Sequence, residues 1–526
     1  MQQTIQRIRG FSDRDPAGQL RAATIIGTLL STFQLADYAE ISVPVLESLD
    51  LYVRKSGAQI LPTIYGFVDQ GKQEVALRPE FTASVIRAFG PAVAPDLPPL
   101  RVCYAGPVFR YESGEDQQHR QTTQAGVELL GAEGTQADAE ILALACQAAR
   151  AAGVPRLRLV IGHLGLLRAA LAALEIEGYA EGYLLEHLEY FNRGASQQQS
   201  VRRRLGLLDG DTPESDPDEQ LPRSIAAAIR DVAPDEARRQ LTSLLDGMGL
   251  SLEGSTRSPD EIIDRVLAKA RRQAAKRSGR GRERLERALA LVEALGGLRG
   301  NQSTILDQTA QLLARYGVPP SSLDGLRAVL DALCEHALAD TEVLLAPGLA
   351  RGLAYYSGLI FEIYALPAAG AAPIQICGGG RYDGLADALI YRSFPALGFS
   401  FTLERLLAAL SPAQEPVHAP LRVAVLAGPS DDRALLQRLV QGTRAVGLPS
   451  ALCQAPPRQD PLAWARRAGY SIALRIDSSG PIVAALTSEA STHPALPALR
   501  QLASQVLAGG DVPAPASAGG GREALR

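Results

Sequence analysis

Residues 101–131, RVCYAGPVFRYESGEDQQHRQTTQAGVELLG, constrain this chain more than any other stretch. Two apolar runs, residues 102–111 and 122–130, flank a polar loop at 113–121 that contains a glycine. Alternating apolar residues on both sides of such a loop are the signature of a β-hairpin. The same stretch carries Arg110, Glu112, Arg120, Gln124 and Glu128. Burying such groups without partners costs on the order of several kcal/mol. A hairpin that turns them inward lines a polar cavity, whereas one that turns them outward has a wetted face. Spacing alone leaves both arrangements open.

With 526 residues the chain is too long for one core, and about three domains are expected. Its hydrophobic fraction of 46% and charged fraction of 21% are those of an ordinary globular protein. A net charge of −4 excludes a generally basic, nucleic-acid-coating surface but leaves room for a local basic patch. Cys103, Cys146, Cys334, Cys377 and Cys453 are scattered and form no CxxC pair. This distribution predicts reduced, buried thiols in a cytoplasmic protein and no zinc site. The N-terminal MQQTIQRIRGFSDRDP has no apolar signal core, and no run approaches about 18 apolar residues, so neither secretion nor membrane spanning is expected.

Along the chain, GFSDRDPAG reads as a turn before an apolar-periodic helix at 18–35. A short strand is predicted at 39–43, then a helical turn in VLESLDLYVRKSG that stops at Gly57. A hairpin follows around Gln70-Gly71, and RPEFTASVIRAFG opens a helix with Pro79 suited to its first turn. After the main hairpin come an amphipathic helix ending at Gly153, a strand at 157–161 and a helix at 164–174. Residues 177–300 change character: they are helical in propensity, interrupted by an acidic patch at 209–222, and include a capping-box start at Ser258 and a basic run at 269–284. That run suits either RNA or phosphate, or a solvated helical face. Strands at 342–345 and 353–365 precede ICGGGRYDGL, a helix and GFSFTLERLLAAL. Past a Pro-rich joint at 411–420, alternating short strands and helices describe a small α/β domain. The Gly/Ala-rich end reads as disordered.

Polar residues gather in three further places: Arg78, Glu80 and Thr82; Arg351, Tyr355 and Tyr356; and Arg405, at the start of the last helix before the joint. If these converge with the hairpin residues, arginines would meet a carboxylate or phosphates and glutamates would meet an ammonium or a ring N–H. Together they suit a zwitterion, with room for a nucleotide beside it. GGGRYDG at 378–384 matches neither dinucleotide nor P-loop patterns, so its glycines are read as sites of close backbone packing and Arg381 and Asp383 as a structural pair. His163 stands alone in a strand–helix turn and is given a structural role, and no catalytic triad or metal-ligand spacing emerges.

These pieces resemble the class II histidyl-tRNA synthetases and, more closely, their non-synthetase relative, the regulatory subunit of ATP phosphoribosyltransferase. GFSDRDP, VPVLE at 43–47 (the dimer-forming motif 1 region), LRPEFTA, VFRYE…QAGVELLG as motif 2, RGLAYYSGLIFE, GGGRYDG and GFSFTLERL as motif 3 occur in family order over about residues 8–175 and 301–410. The resemblance implies an α+β fold, an antiparallel sheet flanked by helices, with a helical insertion and a small C-terminal α/β domain. The implied divisions are 1–176 and 301–412 for the two parts of the synthetase-like core, 177–300 for the insertion, 413–508 for the terminal domain and 509–526 for the tail.

By the same resemblance, Glu80 and Thr82 would meet the amino group of histidine, and Arg110, Gln124, Glu128, Arg351, Tyr355 and Tyr356 complete its pocket. Glu112 and Arg405 would be remnants of an ATP side. Gln118 stands where an arginine helps to hold ATP, Thr122 where an aromatic ring stacks on adenine, Ala354 replaces an aspartate and Thr402 a glycine. Each of the first two losses removes roughly 1–3 kcal/mol of ATP binding. The resemblance therefore implies a subunit without catalytic residues, cofactor or metal, which binds histidine, dimerises through motif 1 and partners a short-form ATP phosphoribosyltransferase catalytic subunit in the first step of histidine biosynthesis. The alternative it leaves open is a histidine–tRNA ligase, which would also bind ATP and tRNA.

Overall fold

The computed structural model describes residues 5–56, 58–111, 119–176, 179–186, 199, 201–202, 279–336, 338, 340–349, 355–367, 371–410, 421–428, 431–456, 459–477 and 480–509. They form two compact units, residues 1–415 and 416–526. The acidic patch at 209–222, the helix start at Ser258 and residues 269–278 of the basic run lie outside the described residues. So do residues 510–526 of the tail.

The first unit is built on an eight-stranded sheet. In chain order its first unit's strands are β1 (Ala39–Glu40), β2 (Leu46–Ser48), β3 (Gly66–Val68), β4 (Glu74–Leu77), β5 (Leu100–Phe109), β6 (Gln121–Leu130), β7 (Leu157–His163), β8 (Thr341–Leu345), β9 (Leu359–Ala365), β10 (Ile374–Arg381) and β11 (Ala396–Thr402). The large sheet runs β1-β5-β6-β11-β10-β9-β7-β8, and β2-β4-β3 make a separate three-stranded sheet. Its interior pairs are antiparallel, and only the edge pairs β1–β5 and β7–β8 are parallel. The expected hairpin is β5–β6, ten residues a side, with Tyr104 opposite Gly126 and Gly106 opposite Gln124.

Helices α1 (Pro16–Leu35), α2 (Leu49–Ser56), α3 (Thr82–Phe89), α4 (Gly134–Ala151), α5 (Leu164–Ala173), α6 (Tyr179–Glu186), α7 (Gly279–Gly297), α8 (Gln302–Ala314), α9 (Asp324–Cys334), α10 (Leu385–Ile390) and α11 (Leu403–Ala409) complete this unit among the described residues. Asp15 caps α1 by accepting the Gly18 amide at 2.7 Å, with Pro16 in the first turn. α4 buries Ile141, Leu142, Ala145, Cys146 and Ala149, at the spacing that places one helical face against a core. Where the basic run is described, it belongs to α7: Arg284 pairs with Glu175, and just past the run Arg287 lies over the Tyr316 ring.

Some local expectations fail. Residues 46–48 form a strand ahead of α2, because Leu46, Glu47 and Ser48 pair with β4, and pairing across the sheet overrides local helical propensity. The strand predicted at 39–43 pairs only through Ala39 and Glu40. The helix after Pro79 starts at Thr82, where Glu80 accepts the Ala83 amide at 3.2 Å. Of the described residues expected as strand over 353–365, only Leu359–Ala365 forms one. Cys334 is exposed at the end of α9, whereas the other four cysteines are buried free thiols.

The second unit holds β12 (Val423–Leu426), β13 (Ser450–Cys453), β14 (Ile472–Asp477) and β15 (Gly480–Ala485), ordered β13-β12-β14-β15. β12 is parallel to both neighbours, as helical crossovers demand, and β15 closes the sheet antiparallel to β14. Asp432 and Asp460 cap the helices at Arg433–Ala445 and Pro461–Arg467. The terminal helix Ala495–Leu507 packs Leu499, Leu502 and Val506 into this unit's core.

GGGRYDG supplies an anchor for the large sheet. Arg381 Nη2 lies 2.9 Å from Asp138 Oδ1 on α4, and its Nη1 reaches Asp383 at 3.2 Å. Asp383 accepts the Ala396 amide at 2.9 Å and the Ser357 hydroxyl at 3.1 Å, so one network ties β10, β11, α4 and the turn before β9. Arg381→Met would leave Asp138 buried without its cation. Equilibrium urea unfolding should show a loss of roughly 3–5 kcal/mol, and a change below about 1 kcal/mol would place this network outside the fold's main supports.

Candidate functional site

The site is organised by Glu128, whose carboxylate is buried on β6. Thr82, in the first turn of α3, donates its hydroxyl to Glu128 Oε1 at 2.8 Å. The Tyr104 hydroxyl donates to the same oxygen at 3.1 Å, and the Tyr382 hydroxyl donates to Oε2. Two glycines open the space for this. A Cβ on Gly398, the residue opposite Glu128 on β11, would fall 2.0 Å from Oε2, and one on Gly126 would fall 2.9 Å from the Tyr104 hydroxyl. Burial pushes the Glu128 pKa up to about 7, with neighbouring Glu80 adding to the rise and the three hydroxyls opposing it. The phenols of Tyr104 and Tyr382 are raised well above their ordinary value, first by burial and then by Glu128.

Glu80 makes the second pole. Its Oε1 lies 2.9 Å from Lys55 Nζ, and the Lys55 side chain, on α2, is only 2% exposed. Lys55 Nζ also lies 4.3 Å from the centroid of the Tyr355 ring, a cation–π contact. Burial disfavours the Glu80 carboxylate, but Lys55, the Ala83 amide and Arg110 outweigh it, so Glu80 is ionised below the usual carboxylate range. The Tyr355 ring packs 4.6 Å from that of Tyr356 and meets Tyr382 edge-on at 6.1 Å. Phe81 stacks on Tyr104 at 4.1 Å and fixes that phenol's direction.

Glu80, Thr82, Glu128, Tyr355 and Tyr356 are therefore brought together. Gln124, 8% exposed, shares the strand face of Glu128 four residues back along β6. Arg110 is held at the margin, its Nε donating to the Pro79 carbonyl at 2.9 Å. Arg78 is a tie rather than a pocket residue: it donates to the carbonyls of Val43 at 2.7 Å and Pro107 at 2.9 Å, with its guanidinium over Phe81. Arg351 and Ala354, and Glu112 and Gln118, lie outside the described residues. His163 ends β7 immediately before α5, and burial lowers its pKa. Among the described residues no group of three or more His, Cys, Asp and Glu side chains could hold a metal ion.

On the side assigned to ATP, Arg405 donates to the Gln375 side chain at 3.0 Å, and Gln375 donates to buried Glu362 at 2.7 Å. Glu404 accepts the Thr123 amide at 2.9 Å and pairs with Arg14 of the GFSDRDP turn. Thr122 stands opposite Val108 on the hairpin, and no ring is offered at that position.

Lys55, Tyr104 and Tyr382 were not singled out by the sequence. Lys55 had a signal: it follows Leu51 and Tyr52 by four and three residues, the spacing of one helical face, and both are buried. Tyr104 was reachable from the hairpin register, since it shares the face of Glu128. Tyr382 lies between two residues read as structural, and nothing local distinguishes it.

A sheet of this order, with its hairpin, motif 3 strand and helix around a polar pocket, defines a class II aminoacyl-tRNA synthetase fold. The histidyl-tRNA synthetase family model matches residues 10–206 and 241–406, and the chain belongs to that family. It is 27% identical over 403 residues to a histidine–tRNA ligase of Methanocaldococcus jannaschii, covering 77% of this chain and 75% of that one. It is 29% identical over 446 residues to a protein of Symbiobacterium thermophilum named ATP phosphoribosyltransferase regulatory subunit, covering 84% of this chain and 88% of that one. Among solved structures, an ATP phosphoribosyltransferase regulatory subunit/histidyl-tRNA synthetase from Bacillus halodurans aligns over 90% of this chain and 99% of its own at a TM-score of 0.57 and 19% identity. The Staphylococcus aureus histidyl-tRNA synthetase aligns over 92% and 96% at 0.53 and 22%. These structures share the fold. No helix among the described residues is long and apolar enough to cross a membrane.

The raised Glu128 pKa sets a pH dependence. Its folded-state value of about 7 exceeds the ordinary 4.5, so the folded protein holds this proton more tightly than the unfolded chain. Stability is greatest below the ordinary value and falls as pH rises from there to about 7, by up to about 3 kcal/mol. Denaturation at successive pH values should show this decline, and Glu128→Gln should flatten it. An identical slope in the variant would show that another group carries the linkage.

Proposed function

We propose that this chain is a regulatory subunit of ATP phosphoribosyltransferase that binds histidine and does not activate it. One contrast on β6 carries the reading. Glu128 stands in an assembled cluster suited to a ring N–H, while Thr122, on the ATP side of the same strand, presents no aromatic face. Glu80 and Thr82 suit the amino group of histidine, and Gln124, Tyr355 and Tyr356 enclose its body. Arg351 would take the ligand carboxylate. The family relative named as a regulatory subunit supports the assignment, and its name implies a catalytic partner, here taken to be the short form.

Histidine would act by coupling: if the pocket prefers one arrangement of the subunit, occupancy shifts the partner's activity by the same free energy that the partner exerts on histidine binding. Dimerisation through the motif 1 region is favoured by an exposed apolar group on the three-stranded sheet, where Val45, Leu46, Phe67 and Val68 are 38–63% exposed. A cytoplasmic location fits the buried free thiols.

The second reading is a histidine–tRNA ligase, favoured by the retention of Arg110 and Arg405 beside the pocket and by relatives carrying that name. There the two arginines would hold ATP phosphates, and Arg351 would stabilise charge developing on the carboxylate.

Two assays on the full chain separate the readings. The regulatory reading predicts that the chain co-purifies with a short-form catalytic subunit and raises its phosphoribosyl transfer, with histidine suppressing the gain. It also predicts no histidine-dependent ATP–pyrophosphate exchange above background. Exchange at an ordinary synthetase rate, or failure to join the catalytic subunit, would overturn it.

A further inference from the structure

Lys55 is the cation in this pocket that its ligand chemistry does not call for. Its stem lies on the buried face of α2 beside Leu51 and Tyr52, and its Nζ is 2.9 Å from Glu80 and 4.3 Å from the centre of the Tyr355 ring. A carboxylate in front of an aromatic face is the environment a primary ammonium group selects. Lys55 places an ammonium there from within the chain. Lys55 is also the largest favourable influence holding Glu80 ionised.

We propose that Lys55 is a tethered competitor for the ammonium subsite at Glu80 and sets how strongly the pocket favours ligands that carry a primary ammonium group. The proposal rests on the reading of this pocket as a histidine site with Glu80 at its amino end. A ligand bearing an α-ammonium must displace Lys55 before it meets Glu80, and the affinity it shows is reduced by the fraction of time that the internal pair is open. A pair closed about nine-tenths of the time weakens binding about tenfold. A ligand with the imidazole and carboxylate but no ammonium leaves the pair in place and escapes this reduction. The pocket would then bind histidine weakly by design of its own residues, which suits a sensor of accumulated product.

Calorimetry at pH 8 on the full chain, with histidine and with imidazole-4-propionate, tests this. In the unmodified protein, imidazole-4-propionate should bind at least as tightly as histidine. Lys55→Met should strengthen histidine about tenfold or more and change imidazole-4-propionate by less than about threefold. Because that variant leaves Glu80 without its internal cation, Lys55→Met/Glu80→Gln serves as a folded control, in which histidine should lose the gain. Histidine binding the unmodified protein about tenfold tighter than imidazole-4-propionate would overturn the competitor role and leave the pocket intact. So would a Lys55→Met chain that holds imidazole-4-propionate normally and gains nothing for histidine. If the variant does not fold, the ranking in the unmodified protein decides. Binding of neither ligand to any of these chains would overturn the histidine pocket itself, and the competitor with it.

Discussion

A carboxylate buried in the middle of a sheet is the constraint on which the rest of this structure depends. Glu128 lies 1% exposed on β6, where an uncompensated charge would be intolerable. Three hydroxyls from three separate elements converge to meet it: Thr82 from the start of α3, Tyr104 from β5 and Tyr382 from the segment after β10. For that convergence the neighbouring positions on the floor must be glycine, the hairpin must hold its register, and α3 must begin at Thr82. A network of this kind is high in stakes, because each partner removed leaves the others less satisfied. The arrangement also leaves the carboxyl poised near neutrality, where it can accept a proton or a ring N–H with little cost.

The hairpin's polar residues were legible as an alternative between a wet face and a covered one, and the structure decides by leaving Glu128 1% and Gln124 8% exposed. What covers that face, including the start of α3 at Thr82, lies far away in sequence, so no local pattern could choose. The order of motifs implied the fold, and among the residues it named are Glu80, Thr82 and Glu128, which the structure brings together. Its silence about Lys55 has a physical cause: a lysine beside Ser56 and Gly57 reads as solvated, and packing of α2 against α3, α10 and β4 makes it interior. The misread strand at Leu46–Ser48 has the same origin, since its partner on β4 lies about thirty residues away. In GGGRYDG, pairing of Arg381 with Asp383 was legible from proximity, but the further reach to Asp138 on α4 was not.

The pocket that results has two electrical halves. Around Glu128, burial dominates and three neutral hydroxyls donate to the carboxyl group. Around Glu80, cations dominate and the charge is fixed. One end suits a titratable ring and the other an ammonium. On the side assigned to ATP, Arg405 engages Gln375 and Glu404 engages Arg14.

The most direct measurement is nitrogen NMR of ring-labelled histidine titrated with the full chain. The account predicts one saturable site per chain, with the bound imidazole nitrogens shifted from their free positions by hydrogen bonding to Glu128, and loss of that shifted signal in Glu128→Gln. An imidazole spectrum that stays at its free position, or one that shifts identically in the variant, would contradict it.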